Sequence, residues 1–531
     1  MKPTRDHKRA LLCLLLAAAT PLAAANYDLL IRNARVLDGA GNPWFRADIA
    51  VREGKIAAIG SLGPSATADR VVDAQGRIVA PGFIDVHTHI EGAVEKVPRG
   101  DNYLLDGVTS VITGNCGGSN VKVAEWFGKI AKLGLGLNVG TLIGHNSVRR
   151  EVMGTANRKA TAEEIVRMQE LVEQAMREGA LGFSTGLIYI PGTYSETSEV
   201  VSLAKAAAKY GGTYASHMRD EGEKIVDAIN EAVLAGKEAG MPVQISHFKI
   251  DNRRLWGASV KSLALIEKYR AEGVDVVIDQ YPYDHSSTNL GVTLPSWALA
   301  DGEGAIKERL SSPATRARIK REMLRRLTQK GEPNYSYAIV AGFAPDRSLE
   351  GKTISQINRL RKRPATPSAE ADTIIELMLK GGAQMVYHSM SMVDVDRIMK
   401  YPHAAIASDG GIREFGLGMP HPRSYGTNAR VLAEFVRRRK LFSLEEAVRR
   451  MTSLPARTFH LRDRGLLREG MAADILIFDP SKVADKATYQ APHAYTEGFD
   501  YVFVNGVAMV EDGKLTDRRS GQVLRHSATV Q

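Results

Sequence analysis

Residues 81–89 read PGFIDVHTH, the end of a run that begins at Ile78 and is almost continuously apolar and rich in β-branched residues. That pattern suits a strand covered on both faces, as in a parallel sheet. Side chains at i and i+2 share one face of a strand, so His87 and His89 would stand together where it ends. Two paired imidazoles in that position suit a metal site. By itself the motif reads equally as two polar residues entering a loop, and the rest of the chain has to decide.

Working outward, helices and strands alternate through the middle of the chain. Thr161 and Glu164 form a capping box, Ile165, Met168, Leu171, Val172, Ala175 and Met176 mark one apolar face, and Gly179 ends the helix before the strand-like ALGFSTGL. EVVSLAKAAAKYGG then leads into TYASHM, and KIVDAINEAVLAGKEAG into PVQISHF, so twice a glycine-ended helix precedes a strand closing on Ser-His. Repeated parallel units of this kind favour a doubly wound sheet or a (β/α)8 barrel. Barrel strands are expected to end near His89, Cys116, His145, Leu187, His217, Phe248, Tyr281 and Asp409. An insertion at about 288–403 separates the last two, and its apolar runs YAIVAGF and QMVYHSM are further strand candidates. Long excursions beside an active face often serve as lids.

The two ends of the chain are written differently. YDLLIRNARVLDG, ADIAVREGKIAAIG and RVVDAQGRIVA read as an antiparallel meander, and the same style returns past about Leu466. The expected organisation is therefore a small β-sandwich domain from 26–80 plus 465–531, and a (β/α)8 TIM-like barrel over 81–464 carrying an inserted lid region. Ahead of these, MKPTRDHKRALLCLLLAAATPLAAAN has a basic start, an apolar stretch from Ala10 to Ala19 and small residues at 23–25, the pattern of a secretory signal cleaved before Asn26. This predicts an exported protein, periplasmic or secreted, with no stable membrane anchor because the apolar stretch is short for a span.

At 531 residues with 44% apolar composition the chain can bury a large core, which excludes a disordered tail or a fibre. Lys2, Arg5, Lys8 and Arg9 against Asp6 account for three of its ten net positive charges, so seven remain after cleavage. The basic runs at 359–363 and 437–440 lack interleaved aromatics, and solvated helix faces explain them better than a nucleic-acid groove. Cys13 leaves with the signal, and Cys116 is then an unpaired thiol in an oxidising setting, a liability that a metal would remove.

His87, His89, Cys116, His217, His247 and Asp409 thus all fall at expected strand ends, on the face where barrels of this kind carry their sites. Imidazole, thiolate and carboxylate are the ligand types of zinc, whose catalytic sites keep one position for water. Singly, Cys116 reads as core filler and each histidine as a buried, hydrogen-bonded side chain. Their recurrence at one end of one barrel favours a metal centre.

PGFIDVHTH, VITGNCGG, STGLIYIPGTYS, SHMRDE, ISHFK, QYPYD, ASDGG and PRSYGT, in this order, resemble the amidohydrolase superfamily and, within it, the D-aminoacylase (N-acyl-D-amino-acid deacylase) family. The resemblance implies a tight zinc on Cys116, His217 and His247. It implies a second, weaker position formed by His87, His89 and Asp409 that shares the cysteine. Many relatives bridge two metals with a carboxylated lysine on the fourth strand; ALGFSTGLIY holds none, and the resemblance implies that Cys116 takes that place. It further implies that Asp409 moves the proton from water to the leaving nitrogen, that Tyr189, Lys249 and Arg423 bind the substrate α-carboxylate, and that Tyr283 donates to the carbonyl oxygen or shapes the pocket. No role follows for His145.

The implied substrate is a small N-acyl-D-amino acid or a short peptide. Acidic-substrate relatives place an arginine near the stretch 285–297, and none occurs between Tyr283 and Asp301, which favours neutral or hydrophobic D-residues. Alternatives are an exported dipeptidase cutting before a C-terminal D-residue, a cyclic-amide hydrolase, for which the missing lysine is adverse, and a noncatalytic scaffold, which would not need the full ligand set. The oligomeric state is open, and a monomer is compatible with everything above.

Overall fold

The computed structural model describes residues 26–526, so the expected signal segment lies outside the described residues. Eight parallel strands form the centre: Phe83–Asp85, Val108–Thr113, Asn138–Thr141 continued by Ile143–Gly144, Gly182–Gly186, Thr213–His217, Val243–Ile245, Val276–Gln280 and Ala404–Ile406. Each pairs in parallel with the next. A bridge between Thr88 and Gly410, with His89 N–H donating to Gly410 O at 2.8 Å, joins the last to the first and closes the barrel. The apolar runs VTSVIT and VVIDQ are buried throughout, because helices cover one face and the barrel interior the other. Ile84, Ile112, Leu142, Leu181, Val277 and Ala405 belong to one apolar cluster, so the barrel is a filled core and only its carboxyl end is available for chemistry.

Local signals act as the spacing predicts. Thr161 accepts from Glu164 N–H and Glu164 reaches back, completing the capping box of Ala162–Arg177, whose Met168, Val172, Ala175 and Met176 are buried. Ile165 and Leu171 are only half-buried at the edge of that face.

Strands from both chain ends meet in one nine-stranded sheet. Asn26–Val36 pairs antiparallel with Phe45–Arg52, but Thr67–Asp73 and Ile78–Pro81 both pair with it in parallel, which departs from the expected meander. After a second antiparallel turn into Lys55–Gly60 the chain crosses over instead of turning back, and Ile78–Pro81 then leads directly into the barrel strand of PGFIDVHTH. One face of the sheet gathers Ile31, Ile49, Ile56, Ile475, Ile477 and Phe503 in a single cluster, so its two ends curl toward each other. Leu476, Phe478, Val502 and Val504, on the other face, join the barrel core.

The insertion is narrower than the sequence suggests. His285–Asn289, Ala338–Gly342 and Gln384–His388 form a separate antiparallel sheet, with two long helices, Pro313–Lys330 and Pro367–Leu379, and an apolar cluster of its own. YAIVAGF and QMVYHSM are therefore strands of the insertion rather than of the barrel. Met392–Met399, counted in the insertion from sequence, packs on Ser259–Ala271 and the seventh barrel strand and belongs to the barrel. A helix and strand pairing only within the segment carry no mark in sequence of which layer they join. Among the described residues no helix is long and apolar enough to cross a membrane.

Candidate active site

The carboxyl ends of the strands bring six expected residues into one cluster. Cys116 Sγ lies 3.3 Å from His87 Nε2, 3.6 Å from His217 Nδ1 and 3.6 Å from His247 Nε2. His89 Nε2 stands 3.0 Å from Asp409 Oδ1, and His87 Nε2 3.5 Å from the same oxygen. Three overlapping sets, His87/His89/Cys116, Cys116/His217/His247 and His87/His247/Asp409, each hold their donor atoms within 4.8 Å of one another. Each set could hold a metal ion.

The backbone is shaped for this convergence. Cys116, His247 and Asp409 adopt φ of 53°, 35° and 50°, a left-handed conformation that costs non-glycine residues about 1–3 kcal/mol and gathers at functional sites. Each follows a strand by two or three residues and turns its side chain into the cluster above the barrel. Gly117 makes the cysteine turn feasible, since a Cβ there would lie 2.2 Å from Asn146 Oδ1.

Electrostatics hold Cys116 and Asp409 in their ligating, anionic forms, and the surrounding anions, outweighing burial, in turn push the His87, His89 and His247 imidazoles up. Burial alone would raise the Cys116 thiol, but charge on His87 and hydrogen bonds from His217 and His247 outweigh it and keep the group well below the ordinary thiol range. Asp409 follows the same logic: burial raises its carboxyl, and Arg423, His87 and His89 together hold it well below the usual carboxylate range. It is therefore an anion at neutral pH, free to accept a proton.

Carboxylates behind the histidines fix their rings. Asp279 meets His87 Nδ1 at 3.2 Å and accepts from Gln244 Nε2 and His247 N–H, while Glu221 lies 3.0 Å from His247 Nδ1. Such partners set which ring nitrogen faces a metal. Asp85 accepts from the backbone N–H of His87 and of Ser408, tying the first strand to the last. The motif reading passed over all three acids. An acid inside the apolar strand VVIDQ was the available signal for Asp279; Glu221, four residues after His217, had no comparable mark.

A cavity of about 700 Å³ opens over the cluster between barrel and insertion, with Tyr189, His217, Glu221, His247, Lys249 and Asp409 on its inner wall. Tyr189 stacks near His217, with centroids 4.8 Å apart, and its hydroxyl accepts from Thr288 Oγ1 at 3.1 Å. Lys249 Nζ contacts Glu221 Oε1 at 2.7 Å and His247 Nδ1 at 2.6 Å. Arg423 is buried behind Asp409, 2.9 Å away though off the hydrogen-bond axis, and stacks on Tyr281 with 4.6 Å to the ring centroid. Both cations expected to meet the substrate carboxylate are thus already beside protein acids, because a buried cation needs a counter-charge.

Tyr283 is not on the cavity wall. The chain leaves the barrel axis after Gln280, and the Tyr283 ring packs under Arg430 and against His421. Tyr281 lines the cavity instead, with a buried hydroxyl that has no protein partner. His145 is also outside the cluster: its Nε2 meets Glu199 at 2.8 Å, an acid that also accepts from Arg149, so it closes a buried ion-pair network.

The sequence profile of the amidohydrolase family matches residues 70–510. An N-acyl-D-glutamate deacylase and a D-aminoacylase, both of Alcaligenes xylosoxydans xylosoxydans, are each 34% identical to this chain, the first over 95% of this chain and 97% of its own length, the second over 94% and 98%. The chain belongs to the amidohydrolase family, in its D-aminoacylase branch. A crystal structure of N-acyl-D-glutamate deacylase from Bordetella bronchiseptica, complexed with zinc and a phosphonate inhibitor, aligns with this amidohydrolase at a TM-score of 0.80, 32% identity, 94% of this chain and 100% of the other. A D-aminoacylase crystal structure aligns at 0.81 with 33% identity and the same coverage. This amidohydrolase is a metal-dependent enzyme that cleaves amide bonds.

Proposed function

We propose that this enzyme hydrolyses N-acyl-D-amino acids to a carboxylate and a free D-amino acid, with zinc as its metal. One observation carries the reading: a thiolate and two imidazoles spaced for one ion share a cavity with an anionic aspartate. A tetrahedral zinc with bonds of about 2.3 Å to sulfur and 2.0–2.1 Å to nitrogen separates those ligand atoms by roughly 3.6 Å. Cys116 stands 3.6 Å from both His217 and His247, so the donors fit without rearrangement. His87, His89 and Asp409, sharing Cys116, are the weaker second position. Bound zinc supplies Lewis acidity toward the amide carbonyl and acidifies water.

The chain's own groups account for the remaining steps. Asp409 accepts a proton from the attacking water as the new C–O bond forms, then returns it to the amine nitrogen as the C–N bond breaks. Tyr281, its hydroxyl partnerless on the wall, replaces Tyr283 as the donor toward the carbonyl oxygen. Tyr189 and Lys249, on the cavity wall, receive the α-carboxylate, for which Lys249 keeps donors beyond the one that meets Glu221, and Arg423, buried behind Asp409 and off the wall, adds its positive charge to them. Val292, Leu294 and Leu299 on the cavity wall support a neutral or hydrophobic D-side chain. The D configuration rests on the names of the relatives.

A panel of N-acetyl amino acids and dipeptides in both configurations tests this reading. Zinc-loaded enzyme should cleave N-acetyl-D-leucine and leave the L-enantiomer intact; exclusive cleavage of dipeptides would replace the reading with the dipeptidase one, and cleavage of neither would remove it. We also propose export, with the first 25 residues removed. A mature N-terminus other than Asn26, or none processed, would refute that.

A further inference from the structure

Basic side chains on the cavity wall differ in whether an acid answers them. Arg219 is held by both oxygens of Glu231, Lys330 by Asp251 and Lys249 by Glu221. Arg150 and Arg326 also line the cavity, but among the described residues their recorded partners are backbone carbonyls, Ile190 O for Arg150 and Leu294 O, at 2.8 Å, for Arg326. Arg326 comes from the insertion helix Pro313–Lys330 and remains exposed on the cavity side. Nearby, Tyr335 is 2% exposed, lines the same wall, and its hydroxyl has no hydrogen-bond partner among the described residues. Arg326 has no acid within ion-pair distance among the described residues: Glu322, one turn back on the same helix, is engaged by Arg318 and reaches Arg326 only through space, while Tyr335 is close enough to feel its charge. Such a guanidinium beside an orphaned phenol is an arrangement that a bound carboxylate would complete.

Size indicates which part of a substrate arrives there. A cavity of about 700 Å³ lies in the range that holds drug-sized molecules, larger than an N-acetyl amino acid. The α-carboxylate and the side chain of an N-acyl amino acid are bounded in length, whereas the acyl group is not. Tyr337 and Tyr387, on the insertion wall, offer flat apolar surface for it. Outside, Arg318, Arg321 and Arg325 are exposed on the same helix and extend positive potential toward solvent, which favours anionic ligands on approach.

We propose that Arg326 and the Tyr335 hydroxyl form an anion subsite on the insertion side of the cavity, which takes the distal carboxylate of an extended N-acyl group. The proposal deepens the deacylase reading and rests on it. It is tested with N-glutaryl-D-leucine and N-glutaramoyl-D-leucine, which differ only in a terminal carboxylate against an amide. The zinc enzyme should favour the glutaryl compound in kcat/KM by about tenfold, the worth of one charge-assisted hydrogen bond over a neutral one. Arg326→Gln should bring the ratio close to one, and Arg326→Lys should keep part of it. An equal rate on both compounds in the unaltered enzyme, a ratio unchanged by Arg326→Gln, or a loss shared equally by both compounds would overturn the subsite. If N-acetyl-D-leucine is cleaved and neither extended compound is, the subsite fails and the deacylase reading stands; if N-acetyl-D-leucine is not cleaved either, the deacylase reading fails, and calorimetric binding of the same pair decides the subsite by the same ratio.

Discussion

Cys116→Ala is expected to leave a folded protein that purifies without its tightly held metal and loses kcat/KM by about 10³-fold or more. The magnitude follows from what the metal contributes, several kcal/mol of charge stabilisation at the amide carbonyl, each 1.36 kcal/mol being tenfold in rate. Cys116, like His87 and His247, belongs to two of the three donor sets, and it is the member common to the tight position and to the one built on His87 and His89, so its removal breaks both. The fold should survive, because the thiol's polar partners among the described residues are site histidines and alanine adopts the φ of 53° at no greater cost than cysteine. Metal content by elemental analysis and turnover by amine release are the measurements. Retention of one equivalent of metal with full activity would place the metal elsewhere.

Asp409→Asn is expected to separate the two functions that Cys116→Ala removes together. The amide keeps the shape of the side chain but cannot accept the proton, so kcat should fall by roughly 10²–10⁴-fold, the usual contribution of a positioned acid–base group. Cys116, His217 and His247 do not include Asp409, so the tight metal should remain. The pH profile carries a further sign. Arg423, His87 and His89 keep the Asp409 carboxylate charged well below its ordinary range, so loss of activity on acidification through pH 5 should not come from protonation of Asp409. An Asp409→Asn enzyme that has lost its metal, or one that turns over near the normal rate, would contradict the assignment.

Much of the site could be read from residue types at strand ends. The i, i+2 histidines, the cysteine between glycines and the two Ser-His strand ends each carry their own chemical meaning, and parallel strands collect their carboxyl ends without any help from loop detail. The residues that were misread sit where the chain leaves that regular frame. Tyr281 and Tyr283 share the i, i+2 spacing, yet only Tyr281 reaches the cavity, because the strand has ended at Gln280 and alternation no longer governs direction. Lys249 and Arg423 were sound choices by charge; that Glu221 and Asp409 already stand beside them depends on partners 28 and 14 residues away. Arg326 illustrates the same limit at longer range. The absence of arginine between Tyr283 and Asp301 described one stretch, whereas the cavity wall is completed by a helix from the insertion.

By itself the sequence determined the barrel, the donor-type residues at its strand ends and the capped helices between strands, since these follow from apolar periodicity and from side-chain chemistry, both of which are local. Only tertiary structure decided which acids orient the histidines, which tyrosine lines the cavity, where the insertion begins and ends, and which cations have no acid within ion-pair distance. Those are matters of distance between segments remote in the chain, and burial in low dielectric makes a separation of a few ångströms the difference between an ion pair and a free charge.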